Sequence, residues 1–180
     1  MLMFACACRR KLWLLVLLLM LAPLTQAQRQ APEAELKAAI MVNMLLFVDW
    51  PSQGGRAADR LTLCYLDARP VPLALSQLDG KLLKGKPLQV VRVDAAALAG
   101  CHALYLSPPD GASLPRIVSN LPASGILLMG DSPGYLQRGA MINLEIEGGR
   151  VVFDIDLKSV RQAGLVLSSK ALRLARHVLE

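Results

Sequence analysis

The sequence predicts an α/β domain: a central, mainly parallel sheet flanked by helices, closed by a C-terminal antiparallel hairpin and a final helix. Three observations carry that expectation. Four short apolar runs recur at fairly regular intervals, Leu61–Leu66, Leu88–Val93, Ala103–Leu106 and Ile126–Met129, each bounded by Gly, Pro or Asp and apolar on both faces. Buried parallel strands read this way. Segments of helical character lie between them (Val71–Leu78, Ala95–Ala99, Leu114–Asn120), and strand–helix alternation is the signature of an α/β sheet. After Gly139 the pattern changes: Met141–Ile146 and Arg150–Asp156 are joined by Glu147-Gly148-Gly149, and Gly-Gly suits a tight hairpin turn.

Along the chain, residues 1–27 read as a secretory signal peptide. Arg9, Arg10 and Lys11 precede an apolar run from Leu12 to Ala22, Pro23 ends it, and Thr25 and Ala27 occupy the small-residue positions before a cut at Gln28. The run is roughly half the ~20 residues a bilayer span requires. Cys6 and Cys8 lie far upstream of the cut, away from the position a lipoprotein would need. The expected product is therefore exported and periplasmic, away from ATP, NADH and chromosomal DNA. Removing 27 of the 180 residues leaves 153, the size of one domain, 28–180. The formal charge of +6 falls to +3, because the leader holds three of the 20 basic residues and no acid. The remaining cations are scattered and aromatic residues are few, which argues against nucleic-acid binding.

Export sharpens the cysteine count. Cys64 and Cys101 alone remain, and two thiols in an oxidising compartment most simply form one disulfide, worth roughly 3–4 kcal/mol by restricting the unfolded chain. Two separately buried thiols are the alternative. No C-x-x-C spacing supports a redox-active pair.

Ala38–Val48 is apolar on nearly every face, with Leu36, Ile40, Met44 and Phe47 at helical spacing. Such a helix lies deep in the domain or carries a dimer contact. Asp49-Trp50-Pro51 ends it, and Ser52–Gly55 makes a loop. Arg150–Asp156 alternates, with Val151, Phe153 and Ile155 on one face and Val152, Asp154 and Asp156 on the other. A last helix is expected from the N-cap Ser168 to Val178, with Lys170, Arg173 and Arg176 along one face.

Motifs for chemistry are weak. Gly80–Pro87 (GKLLKGKP) nearly spells a phosphate loop, but Pro87 stands where a hydroxyl must meet Mg²⁺ and a strand follows where a helix should open. It reads as a turn. His102 and His177 have no partner at metal-ligand spacing, and no G-x-S-x-G elbow exists. Asp154 and Asp156, with Glu145 or Glu147 across the hairpin, could make a carboxylate pair or a cation site; on an exposed strand they are a solvated face. The reading is no enzyme, no catalytic residue, no metal and no cofactor.

Several pieces then resemble the YfiR-like family of small periplasmic proteins: LKAAIMVNMLLFVDWP near the start, Cys64 in the first strand, Cys101-His102-Ala103-Leu104-Tyr105 in the third, Gly139–Asn143, Arg150–Leu157, and Ala163-Gly164-Leu165 leading to Leu167-Ser168-Ser169. The resemblance spans about Glu35 to Val178. Ala140 and Asp156 stand where Gly and Asn are expected. A second cysteine pair found in some members has no counterpart here, so Cys64–Cys101 alone is carried over. The resemblance implies a periplasmic repressor that binds the sensor region of an inner-membrane diguanylate cyclase, an outer-membrane OmpA-like lipoprotein that sequesters it, and a homodimer. It would lower cyclic-di-GMP and biofilm formation. Trp50, Glu145, Arg150, Asp154, Asp156, Lys158 and Arg161 are the expected partner contacts. The competing expectation is a periplasmic small-molecule sensor for another envelope receptor or kinase, its crevice near Asp67–Pro70, Ser107–Gly111 and Gly130–Pro133.

Overall fold

The computed structural model describes residues 30–50, 59–121 and 125–180, with side chains from Glu33 onward. The expected leader and the Ser52–Gly55 loop lie outside the described residues. Ala34–Glu180 forms one unit built on one continuous apolar core.

Helix α1 (Gln30–Met44) continues into a 3-10 turn at Leu45–Phe47, then strand β1 (Val48–Asp49). It starts earlier and ends earlier than its apolar run suggested. Ala34, Ala38, Met41, Val42, Met44 and Leu45 are buried, while Leu36 is 46% exposed. The remaining elements are β2 (Leu61–Tyr65), α2 (Pro70–Ser76), β3 (Leu82–Leu83), β4 (Lys86–Arg92), β5 (Ala103–Leu106), α3 (Leu114–Asn120), β6 (Leu127–Gly130), β7 (Ile142–Glu147), β8 (Arg150–Asp156), α4 (Leu157–Gln162), β9 (Val166–Leu167), α5 (Ser169–Leu174) and β10 (His177–Leu179).

Eight strands make the main sheet in the order β10-β8-β7-β6-β5-β2-β4-β3, and β1 pairs with β9 in a small antiparallel sheet. The block β4-β2-β5-β6-β7 is parallel. β7–β8 and β3–β4 are antiparallel hairpins. The four inner strands of the sequence reading are present. β5 and β6 are buried at every position, which explains why their sequences do not alternate.

The hairpin turn has both glycines at positive φ, Gly148 at 56° and Gly149 at 77°, as a two-residue turn matching strand twist requires. Lys84 and Gly85, in the phosphate-loop look-alike, also turn with positive φ. Lys84 Nζ donates to Val48 O at 3.0 Å and Asp49 Oδ1 at 2.9 Å, so this lysine ties the β3–β4 turn to β1.

Two expected helices differ. Ala95–Ala99 is a pair of turns, closed by Ala97 N to Asp94 O and Cys101 N to Leu98 O. The final helix stops at Leu174: Ala175 is extended (ψ 145°), Arg176 N donates to Phe153 O, and His177–Leu179 add a parallel strand to β8. Pairing with an otherwise open sheet edge outweighs the local helical spacing. Ser168 does occupy the N-cap, yet its side chain caps nothing.

Candidate interaction surface

Strand register decides what the hairpin presents. Asn143 faces Asp154 across the pair, Glu145 faces Val152 and Glu147 faces Arg150. Asn143, Glu145, Glu147, Asp154 and Asp156 therefore share one face. What occupies the space among the acids is Arg176. Its Nε donates to Asp154 Oδ1 at 3.0 Å and its Nη2 to Asp154 Oδ2 at 2.5 Å. Nη2 also reaches Glu145 Oε2 at 2.6 Å, and Nη1 reaches Glu147 Oε2 at 3.2 Å. His177 adds its backbone N–H to Asp154 Oδ1 at 3.1 Å. Hydrogen bonding to Arg176 and then to His177 holds the Asp154 carboxyl below the usual carboxylate range, against the opposing effect of burial. The same contacts raise the guanidinium further above its ordinary value.

Asp156 turns to a different task. Its Oδ1 accepts from Ser159 N at 3.0 Å and its Oδ2 from Ser159 Oγ at 2.6 Å, capping α4. The carboxylates expected to meet a partner are thus bound within the chain. Arg150, Lys158 and Arg161 are exposed, and among the described residues no ion pair is seen for them. Arg176 and β10 were missed by sequence reasoning because Arg176 falls in step with Lys170 and Arg173 as part of a helical stripe.

Trp50, one of the expected partner contacts, is half-buried. Its Nε1 donates to His102 O at 2.8 Å, and its ring stands edge-on to the His102 imidazole, centroids 5.8 Å apart. Thr62 N donates to His102 Nδ1 at 3.0 Å. That nitrogen is an acceptor, so any ring proton sits on Nε2. Nearby, Cys64 of β2 and Cys101, just before β5, form a disulfide with Cα atoms 5.9 Å apart. It bridges the point where strand order reverses, between β2 and β5.

At the carboxyl ends of the strands, residues of the expected crevice bond to one another and to neighbouring elements. Asp131, after β6, accepts from Lys37 Nζ at 3.0 Å and from Tyr105 Oη at 2.8 Å. Burial and the Asp131 charge push the Tyr105 hydroxyl well above its ordinary pKa. Ser107 and Asp110 cap each other, Tyr135 Oη donates to Ser107 O at 2.7 Å, Arg138 donates to Gly111 O, and Asp67 pairs with Arg69. Among the described residues two open grooves stand out. One, of about 290 Å³, lies between α3 and α4. The other, of about 340 Å³, lies beside the disulfide against Thr62, Gln89 and Val91.

Among the described residues no helix is long and apolar enough to cross a membrane. The arrangement defines a class of protein, a small open-sheet α/β domain with most of its buried polar groups paired to one another and with Arg150, Lys158 and Arg161 exposed on its surface. The chain belongs to the YfiR/HmsC-like family, whose model matches residues 34–176. That family is periplasmic, regulatory and non-catalytic, and membership suggests a regulator of diguanylate cyclase signalling. Among solved structures, a conserved domain protein from Vibrio cholerae O1 biovar El Tor strain N16961 matches with TM-score 0.50 and 14% identity, over 81% of this chain and 60% of that one. The ABC domain from Streptococcus pneumoniae in complex with L-Trp matches with TM-score 0.48 and 10% identity, over 67% of this chain and 55% of the other. The chain thus spans less than two thirds of either, and the Vibrio structure bears on the fold alone.

Proposed function

We propose that this protein is an exported, periplasmic repressor that binds the sensor region of an inner-membrane diguanylate cyclase and holds it inactive, lowering cyclic-di-GMP and biofilm formation. The family match over 34–176 is the observation that carries the proposal. The mechanism is population shift: the repressor binds the inactive arrangement of the sensor more tightly than the active one. An OmpA-like lipoprotein of the outer membrane relieves repression by sequestering the protein, which acts as a homodimer. Arg150, Lys158 and Arg161 make the direct charged contacts. Glu145, Asp154 and Asp156 shape that surface by fixing Arg176 and α4, and Trp50, held at the start of β5 by its bond to His102 O, adds an aromatic contact.

The test is capture of the purified periplasmic region of an inner-membrane diguanylate cyclase from the same organism. Wild type is expected to capture it, and joint charge reversal at Arg150, Lys158 and Arg161 to abolish capture. Unchanged capture would falsify the surface; no capture by wild type defeats the repressor reading. The second reading, a small-molecule sensor, draws on the groove of about 340 Å³ beside the disulfide. Thermal-shift screening against metabolites separates the two, since a saturable stabilisation by one compound without cyclase capture favours the sensor.

A further inference from the structure

We infer that α4 and the groove between α3 and α4 form a docking surface for an acidic segment of a protein partner, one bulky apolar side chain of which seats in the groove. This rests on the protein–protein reading above and adds the chemistry of the segment.

The groove is walled by Val118, Leu128, Met141 and Ala163, with Gly139 contributing bare backbone. Gly139 has φ +102°, and a Cβ there would come within 2.9 Å of the Val118 methyls, so no side chain can intrude from that position. Its volume of about 290 Å³ sits at the bottom of the range of about 300–1,000 Å³ typical of small-molecule sites. The hydroxyl of Ser159, its most buried polar group, already donates to Asp156. That leaves an apolar recess with little to orient a polar metabolite, and a fit for a single Phe, Leu or Met side chain.

Charge names the rest of the occupant. Lys158 lies one turn from Gln162, which lines the groove, so the two are neighbours on the helix surface. Arg161 is exposed beside them. Among the described residues neither cation forms an ion pair: Asp156 caps α4, Asp154, Glu145 and Glu147 hold Arg176, and Glu180, which follows the Leu179–Asp156 pairing of β10 with β8, is within ion-pair distance of neither. Lys158 and Arg161 thus carry unpaired positive charge at the rim, which steers and selects a negative segment.

The test uses the full mature chain with labelled Val, Leu, Met and Ala methyls. It is titrated with a short peptide of glutamates flanking one phenylalanine, and with the same peptide carrying lysines. Saturable shifts are expected at Val118, Leu128, Met141 and Ala163 with the acidic peptide alone. Lys158→Glu/Arg161→Glu should weaken binding about tenfold or more, as should raised salt. Gln162→Trp, at the exposed rim, should block the groove. The inference is overturned by an absence of saturable shifts, by an equal response to the lysine peptide, or by the same shifts on concentrating the protein alone, which would put a second copy there. Cyclase capture by wild type that survives both variants also overturns it while leaving the repressor reading intact. Peptide binding without any cyclase capture supports the surface and sinks the repressor reading.

Discussion

Single side chains here are mostly committed, and the commitments set the chemistry. Lys37 and Asp131 are a buried pair, with side chains 10% and 6% exposed, joining α1 to the end of β6. Removing one partner strands the other in a low-dielectric site, so Lys37→Met should cost roughly 3–5 kcal/mol. The double variant Lys37→Met/Asp131→Asn should recover much of this, as read by urea unfolding of the three proteins. A near-zero cost for the single variant would mean the pair is effectively solvated. Asp154 makes the pH prediction. Its pKa is depressed in the folded state by Arg176 and His177, so ionised Asp154 stabilises the fold in full above its unfolded value of about 4. That contribution fades as pH falls through the lower folded value. Urea midpoints measured down to acid pH should therefore decline below about pH 4. Asp154→Asn should start lower at neutral pH and decline less. An unchanged acid slope in the variant would contradict the assignment. Lys37 illustrates a limit of legibility: a lysine beside an apolar run reads as a solvated flank, and nothing local marks the aspartate 94 residues away that it meets.

Elements were legible where their own residues determine them. Ala103–Leu106, and Leu61–Tyr65 with Thr62 as its one polar residue, form strands because a short, nearly all-apolar stretch between breakers has nowhere to go except the middle of a sheet. The β7–β8 hairpin follows from Gly148-Gly149 and from the alternation of Val151, Phe153 and Ile155. Replacing Gly149 with Val forces a branched residue into the left-handed region and should cost about 1–3 kcal/mol, seen as a lower melting temperature with cyclase capture reduced in step. An unshifted melting temperature would mean the turn can relax. β10 and β1–β9 were illegible, because three- and two-residue strands exist only through distant partners. The helical periodicity of Ser168–Val178 is real and loses at Ala175, where Arg176 meets three carboxylates contributed by β7 and β8. Ala95–Ala99 carries helix-favouring alanines, but Cys101 must reach Cys64, and the chain turns twice to deliver it.

For the molecule as a whole, architecture was far easier to read than surface. The parallel block, the closing hairpin and the family were apparent from residue order, whereas the use of the surface depended on which acids and bases find one another. The Cys64–Cys101 bridge ties two neighbouring strands across the reversal point. Reduction of the exported protein should cost roughly 3–4 kcal/mol, measured as a lower urea midpoint in the presence of reductant; coincident curves would show the cross-link contributes nothing. Intact mass without reductant should equal that of residues 28–180 less two hydrogens. Retention of residues 1–27 would remove the export step from the proposal, and free thiols at both positions would remove the bridge.

The cross-link also bears on how such a chain matures. Under the proposed export the polypeptide emerges from its N-terminal side, so the sulfur of Cys64 waits in the oxidising compartment while the next 37 positions follow it through the membrane. With more cysteines that interval would invite wrong pairings and a need for reshuffling. With residues 1–27 removed, as the proposed export requires, only one intramolecular pairing exists. Maturation then needs an oxidant and no isomerase, and the lock closes only after the segment carrying β4 has crossed.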